Sequence, residues 1–353
     1  MENNGKYDKD AEHNVLCPTE LEIIGKQLQE SREARKRTRE EITWGFLEGV
    51  DLRRIEEGGG CDFFVLRFLM ERLHIPLKLK NFYLSAQDNI LVNLESEMEY
   101  DLLFWRYGDV NLKLEKYYKL CDHENCLHML VYYRFYAMLS IWRGSGDKDE
   151  TGEIWNFIKR WMPNFEIRLH NREPFSLDEL ALIIMYYCLV EEKTEIRLKK
   201  IKEVADYYQA EFATKQERYQ SFYAVLMLSC ARCEYKLGDL INCISSCKEG
   251  IRVMLFVHRC VAGGELYELL ADAEGKLLEG EIKAEQNEEA ILNSSQGRGE
   301  REWFKDSEWC QRAAKIREYY EFANVLYKTY YFGYREKHWG ELEEKIKRWR
   351  ITI

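Results

Sequence analysis

Proline is almost missing from this chain, with 4 in 353 residues, and glycine stands at only 21. So few breakers argue against a loop-rich β-protein and leave room for long helices, because proline or glycine inside a helix costs about 1–3 kcal/mol. Long apolar runs are missing too. The longest, LALIIMYYCLV at 180–190, falls far short of the roughly 20 residues a bilayer demands, so no membrane partner is expected. MENNGKYDKDAEHN has no apolar core of a leader and reads as part of a disordered tail over 1–18. Histidine occurs seven times and never as HExxH. The glycines at 58–60 lack the Lys-Ser/Thr of a phosphate loop. Neither an enzyme activity nor a cofactor is expected.

The eleven cysteines are scattered rather than regularly paired, which with the missing leader predicts a reduced, cytoplasmic protein. Two groups have metal-like spacing: Cys230, Cys233, Cys243 and Cys247, and Cys121, His123, Cys126 and His128. Helical register offers another account. Cys230, Cys243 and Cys247 fall on buried positions, Asp122 caps a helix, and Cys126 begins its apolar stripe. No metal site is assigned.

A net charge of −10 argues at first against a nucleic-acid partner. The charge is uneven, however. Residues 19–80 hold twelve Lys/Arg against twelve Asp/Glu, and SREARKRTR at 31–39 is a basic cluster.

Capping signals divide this N-terminal segment into short helices. Thr19 with Glu22, and Thr38 with Glu41, form capping-box starts, and the glycines at 58–60 form a stop. Asp62 opens the apolar helix FFVLRFLMERLHI, ended near Pro76. Farther on, Gly-Asp pairs recur between helical stretches, at 108, 146 and 238. Setting Gly238 at a turn places Ala231 at a helix contact. Setting Gly146 at a turn buries Leu139, Trp142, Trp155 and Ile158. The pattern resembles the tetratricopeptide repeat, a helix pair of about 34 residues. The polar stretch 281–302 breaks the period and reads as a loop or linker.

The stretch TREEITWGFLEGVDLRRIEEG at 38–58, with Arg32 before it, resembles the lambda-repressor/Cro-like helix–turn–helix family. The matching positions are Arg32, Thr38-Arg39-Glu40-Glu41-Ile42 and Ile55-Glu56-Glu57-Gly58. With the repeats behind it, the chain resembles the peptide-pheromone-responsive regulators of the Rgg and PlcR type. The expected fold is all-α: a small helix–turn–helix domain over 19–80, an α-solenoid of tetratricopeptide-like pairs over 81–280, and capping helices over 303–353.

The resemblance implies that Arg32 and Glu56 form a buried structural pair. It implies a DNA interface of Thr38, Arg39, Gly49, Val50, Arg53 and Arg54. Gly49 and Val50 match the base-reading start of the third helix, where they cannot make the paired hydrogen bonds that Gln, Asn or Arg make. Double-stranded DNA, a short signalling peptide and a second copy of the chain are the implied partners. On the repeat's concave face, Tyr133, Tyr136, Ser140, Arg143, Arg232, Tyr235 and Lys236 are the candidate peptide contacts, and Arg or Lys would take a peptide carboxylate. The alternative is a repeat scaffold that binds peptide or protein and whose helix–turn–helix no longer reads DNA.

Overall fold

The computed structural model describes residues 18–47, 50–75, 86–103, 106–143, 148–190, 192–212, 217–256, 262–296, 307–330 and 336–351. Among these the fold is all-α, with sixteen helices and no strand. No described helix is long and apolar enough to cross a membrane. The chain forms two compact units: residues 1–102, 107–191 and 206–216, and residues 103–106, 192–205 and 217–353.

The first unit begins with four short helices, α1 (Pro18–Ala34), α2 (Arg39–Thr43), α3 (Leu52–Glu56) and α4 (Phe63–Arg72). The tail expected over 1–18 lies outside the described residues, apart from Pro18. Pro18 and Thr19 both lie within α1, so Thr19 is not its cap. Asp62 caps α4 as expected, its Oδ1 accepting from the Phe64 and Val65 amides.

These helices continue without a break in packing into α5 (Ala86–Leu103), α6 (Tyr107–Leu120), α7 (Cys126–Arg143), α8 (Lys148–Trp161), α9 (Phe165–His170) and α10 (Leu177–Leu189). The apolar run noted in the sequence forms most of α10. Its residues are buried nearly all round, which marks a central helix. Charge is buried beside it. Arg67 reaches Glu95 at 2.5 Å and Asp178 at 3.4 Å, and Arg134 reaches the same two carboxylates at 3.0 and 2.9 Å. Two cations alternating with two anions tie α4, α5, α7 and α10 together, each charge compensated where bulk water cannot reach.

Gly108 and Asp109 lie inside the first turn of α6, not at a turn between paired helices. The pair at 146–147 lies outside the described residues. Leu139 and Ile158 are buried, but Trp155 is 38% exposed and stacks on Tyr186, contrary to the repeat register. Trp142's side chain is outside the description.

The second unit takes the start of α11 (Thr194–Phe212), then α12 (Glu217–Leu237), α13 (Leu240–Phe256), α14 (Gly263–Gln296), α15 (Ser307–Tyr330) and α16 (Glu336–Ile351). Here the Gly-Asp expectation holds. Gly238 has φ +77° between α12 and α13, and Asp239 Oδ1 accepts from the Asn242 amide. Ala231, Cys243 and Cys247 are fully buried in the shared core. Residues 281–296 of the expected polar loop are instead helical within α14, because Glu, Lys, Ala and Gln are strong helix formers even without an apolar period. In the core of α14, α15 and α16, Lys345 bonds to Glu268 and Asp272, whose carboxylates also take the Tyr327 and Tyr320 hydroxyls.

Candidate functional site

One charge pair holds α1 to α3. Arg32 donates Nε to Glu56 Oε1 at 2.5 Å and Nη2 to Oε2 at 3.1 Å, and both residues are buried. The Glu56 hydrogen bond raises the Arg32 pKa above its usual value. Glu56 also accepts from Arg39 Nε at 2.8 Å, an engagement the sequence did not reveal. Thr38 caps α2 reciprocally. Its Oγ1 accepts from the Glu41 amide at 3.1 Å, and Glu41 Oε2 accepts from the Thr38 amide at 2.7 Å.

α3 starts later than the resemblance implies. It runs from Leu52, with Asp51 as its cap accepting from the Arg54 amide at 3.1 Å. Val50 stands ahead of that cap, and Gly49 lies outside the described residues. Asp can satisfy a free amide of the first turn and Val cannot, so the helix begins after Asp51. Asp51 is therefore the cap that starts α3. Arg53 and Arg54 are both exposed on α3. Arg53 Nε donates to Glu57 at 2.8 Å, and that bond raises its pKa.

The turn after α2 packs inward. Gly45 has φ +74°, and any Cβ there would meet the Trp161 carbonyl. Phe46 is buried against Phe68, Phe157 and Trp161, and its carbonyl accepts from Cys126 Sγ at 3.1 Å. Arg72 donates to the Ile42 and Trp44 carbonyls, each at 2.8 Å. The α2–α3 turn is thus seated on α4, α7 and α8.

The candidate peptide residues divide between the two units. On α7, Tyr133 and Tyr136 are half-buried beside Tyr132, which was not singled out in the sequence. Tyr132 and Tyr136 are nearly parallel at 15°, while Tyr133 stands at 76° and 83° to them. Tyr118, from α6, lies 4.7 Å from Tyr132 between ring centroids, and Phe157, from α8, lies 4.5 Å from Tyr133. Partial burial raises the pKa of Tyr136 to about 12, with Glu150 and Glu153 adding to it. Ser140 does not join this surface. It is fully buried, with Oγ donating to the Tyr136 carbonyl at 3.0 Å, because a serine in mid-helix bonds the preceding turn. Arg143 is exposed but engaged by Asn111 at 2.5 Å and Glu150 at 3.6 Å.

In the second unit, Arg232 pairs with Glu265 at 2.8 Å, Lys276 lies 4.0 Å from the Tyr235 ring centroid, and Lys236 is exposed. Cys230, Cys233, Cys243 and Cys247 are all buried. Of the other cysteine–histidine group, Cys126 bonds the Phe46 carbonyl, His128 Nδ1 accepts from the Asp122 amide, and His123 lies on Tyr118. Asn125, rather than Asp122, caps α7 through the Leu127 and His128 amides.

These features define an all-helical chain with a short-helix module at its start. No protein-family model matches it, and no curated protein matches it. Among solved structures it is similar to Bacillus thuringiensis PlcR in complex with the peptide PapR7 and DNA. The identity is 12%, over 92% of this chain and 99% of that one, with a TM-score of 0.48.

Proposed function

We propose that the chain is a cytoplasmic, homodimeric DNA-binding transcription regulator: α1–α3 form a helix–turn–helix that docks on duplex DNA, and the helical pairs behind it receive a short signalling peptide. The observation that carries this reading is the α1–α3 assembly. The buried Arg32–Glu56 pair, the Thr38 box and the Gly58 stop occur together, and Arg53 and Arg54 stand exposed on α3. With Val50 ahead of the helix and Asp51 used as its cap, recognition would rest on phosphate contacts and DNA shape, with Arg54 the best-placed donor for a base edge. Peptide binding would shift the balance between arrangements of the two DNA-docking heads.

A second reading has its own support. Gly45, Phe46 and Leu47 after α2 are buried, and Arg39 and Arg53 are held in intramolecular ion pairs, as in a helix–turn–helix kept only as a structural part of a scaffold. Titrating the purified protein against its own promoter and a scrambled duplex at two salt concentrations separates the two. The regulator reading expects a preference for the promoter and a steep salt dependence. Equal, weak binding to both duplexes, with or without peptide, supports the scaffold.

A further inference from the structure

The aromatic face of α6–α8 combines two properties that point to one ligand chemistry. The first is ring geometry. Tyr132 and Tyr136 stand near-parallel and Tyr133 nearly perpendicular to both, so three rings form two walls of a corner. Tyr118 backs one wall and Phe157 the other. Ring faces carry negative quadrupole density, and corners of this kind favour a cation over an anion.

The second property is charge. Glu153 lies one turn before Phe157 on α8, and its carboxylate acts on the hydroxyls of Tyr132, Tyr133 and Tyr136 alike. Glu153 is exposed and makes no ion pair among the described residues. Glu150, the other carboxylate near Tyr136, is paired with Arg143. Arg143, the cation of this face expected to greet a peptide carboxylate, is therefore already partnered, and the uncompensated charge on this face is negative.

We propose that the corner formed by Tyr132, Tyr133 and Tyr136, together with Glu153, binds a lysine or arginine side chain of a short peptide. This rests on the reading of the helical pairs as a peptide receptor, and it reverses the polarity assumed for Arg143. The cation lies over the tyrosine faces, its charge is met by Glu153, and its alkyl stem packs along the rings.

The test is selection from a display library of random heptapeptides on the immobilised full chain, repeated with the Glu153→Gln and Tyr136→Leu variants. Both variants are first checked for unchanged helicity and melting temperature. Selected peptides are expected to be enriched in Lys or Arg. Resynthesised singly, they should lose about fivefold in affinity with Glu153→Gln, and as much again with Tyr136→Leu. Tyr136→Phe keeps the ring and should change affinity less than twofold. Peptides that compete for this face but are apolar or acidic, with affinities indifferent to Glu153→Gln, overturn the cation assignment and leave the peptide receptor standing. No enriched peptide at all, with the wild-type chain shown to be folded, overturns both.

Discussion

Arg72 and Glu179 meet as a bidentate pair at 2.5 and 3.1 Å, and neither side chain is exposed at all. Each does a second task. Arg72 also donates to the Ile42 and Trp44 carbonyls, closing the end of α2, and Glu179 accepts from the Ser176 amide at 2.7 Å, closing the start of α10. A residue of the N-terminal module and one of the central helix are therefore paired while each also closes a helix end, Arg72 that of α2 and Glu179 that of its own α10. Within the first unit, α4 is thus tied to α10 by a fully buried ion pair.

Removing one partner strands the other's charge away from water. Arg72→Met should cost about 3–5 kcal/mol in denaturant unfolding, and pairing it with Glu179→Gln should restore about 1–2 kcal/mol. A loss below about 1 kcal/mol for Arg72→Met, typical of a surface pair, would show that the cluster is solvated.

The two turn glycines should respond differently to alanine. At Gly238 a Cβ meets nothing within 4 Å, so Gly238→Ala carries only the left-handed φ and should cost about 1 kcal/mol. At Gly45 the same strain is joined by a collision with the Trp161 carbonyl. Gly45→Ala should cost at least about 2 kcal/mol more, read as the difference in unfolding midpoints. Equal losses would mean that the α2–α3 turn is not seated on α8.

His128 brings a pH dependence. Burial lowers its pKa from 6.5 to about 4, outweighing Asp88 and Asp122. In the unfolded chain it takes a proton below about pH 6.5, but in the fold only near pH 4, so the unfolded state binds more protons between those values. Stability from this residue is full above pH 6.5 and is lost as pH falls toward 4, by up to about 3 kcal/mol. His128→Gln should flatten the wild-type slope across that window, measured as urea midpoints from pH 7 to 4. An unchanged slope would assign it to other groups.

On DNA, Arg54→Ala should lower promoter affinity about tenfold and narrow the gap to a scrambled duplex, whereas Arg53→Ala should weaken both duplexes alike and reduce the salt slope by about one. Fluorescence anisotropy at two or more salt concentrations reads both effects. If neither substitution changes binding, α3 is not the docking helix.

Much of the short-helix module was legible because its signals are local. Thr38 with Glu41, Asp62 before its helix, and Gly58 after Glu57 each act within one turn of the chain. The Arg32–Glu56 contact is long-range, and only the family resemblance implied it. The start of α3 differs from the resemblance, which places Gly49 and Val50 there, because the capping chemistry of Asp51 sets the helix boundary. The polar run after residue 280 lost its apolar period but kept its helix formers, and α14 follows the latter.

The amino-acid order by itself determined the helical class, the Thr38 and Asp62 caps and the Gly238 turn, because each depends on backbone geometry and on side chains within about four residues. Tertiary structure decided which charges are buried, that Gly45 and Phe46 are covered, that Ser140 faces inward, and that three tyrosines form a corner beside an unpaired Glu153. Burial and electrostatic compensation depend on what distant segments bring alongside, and no spacing along one helix contains that information.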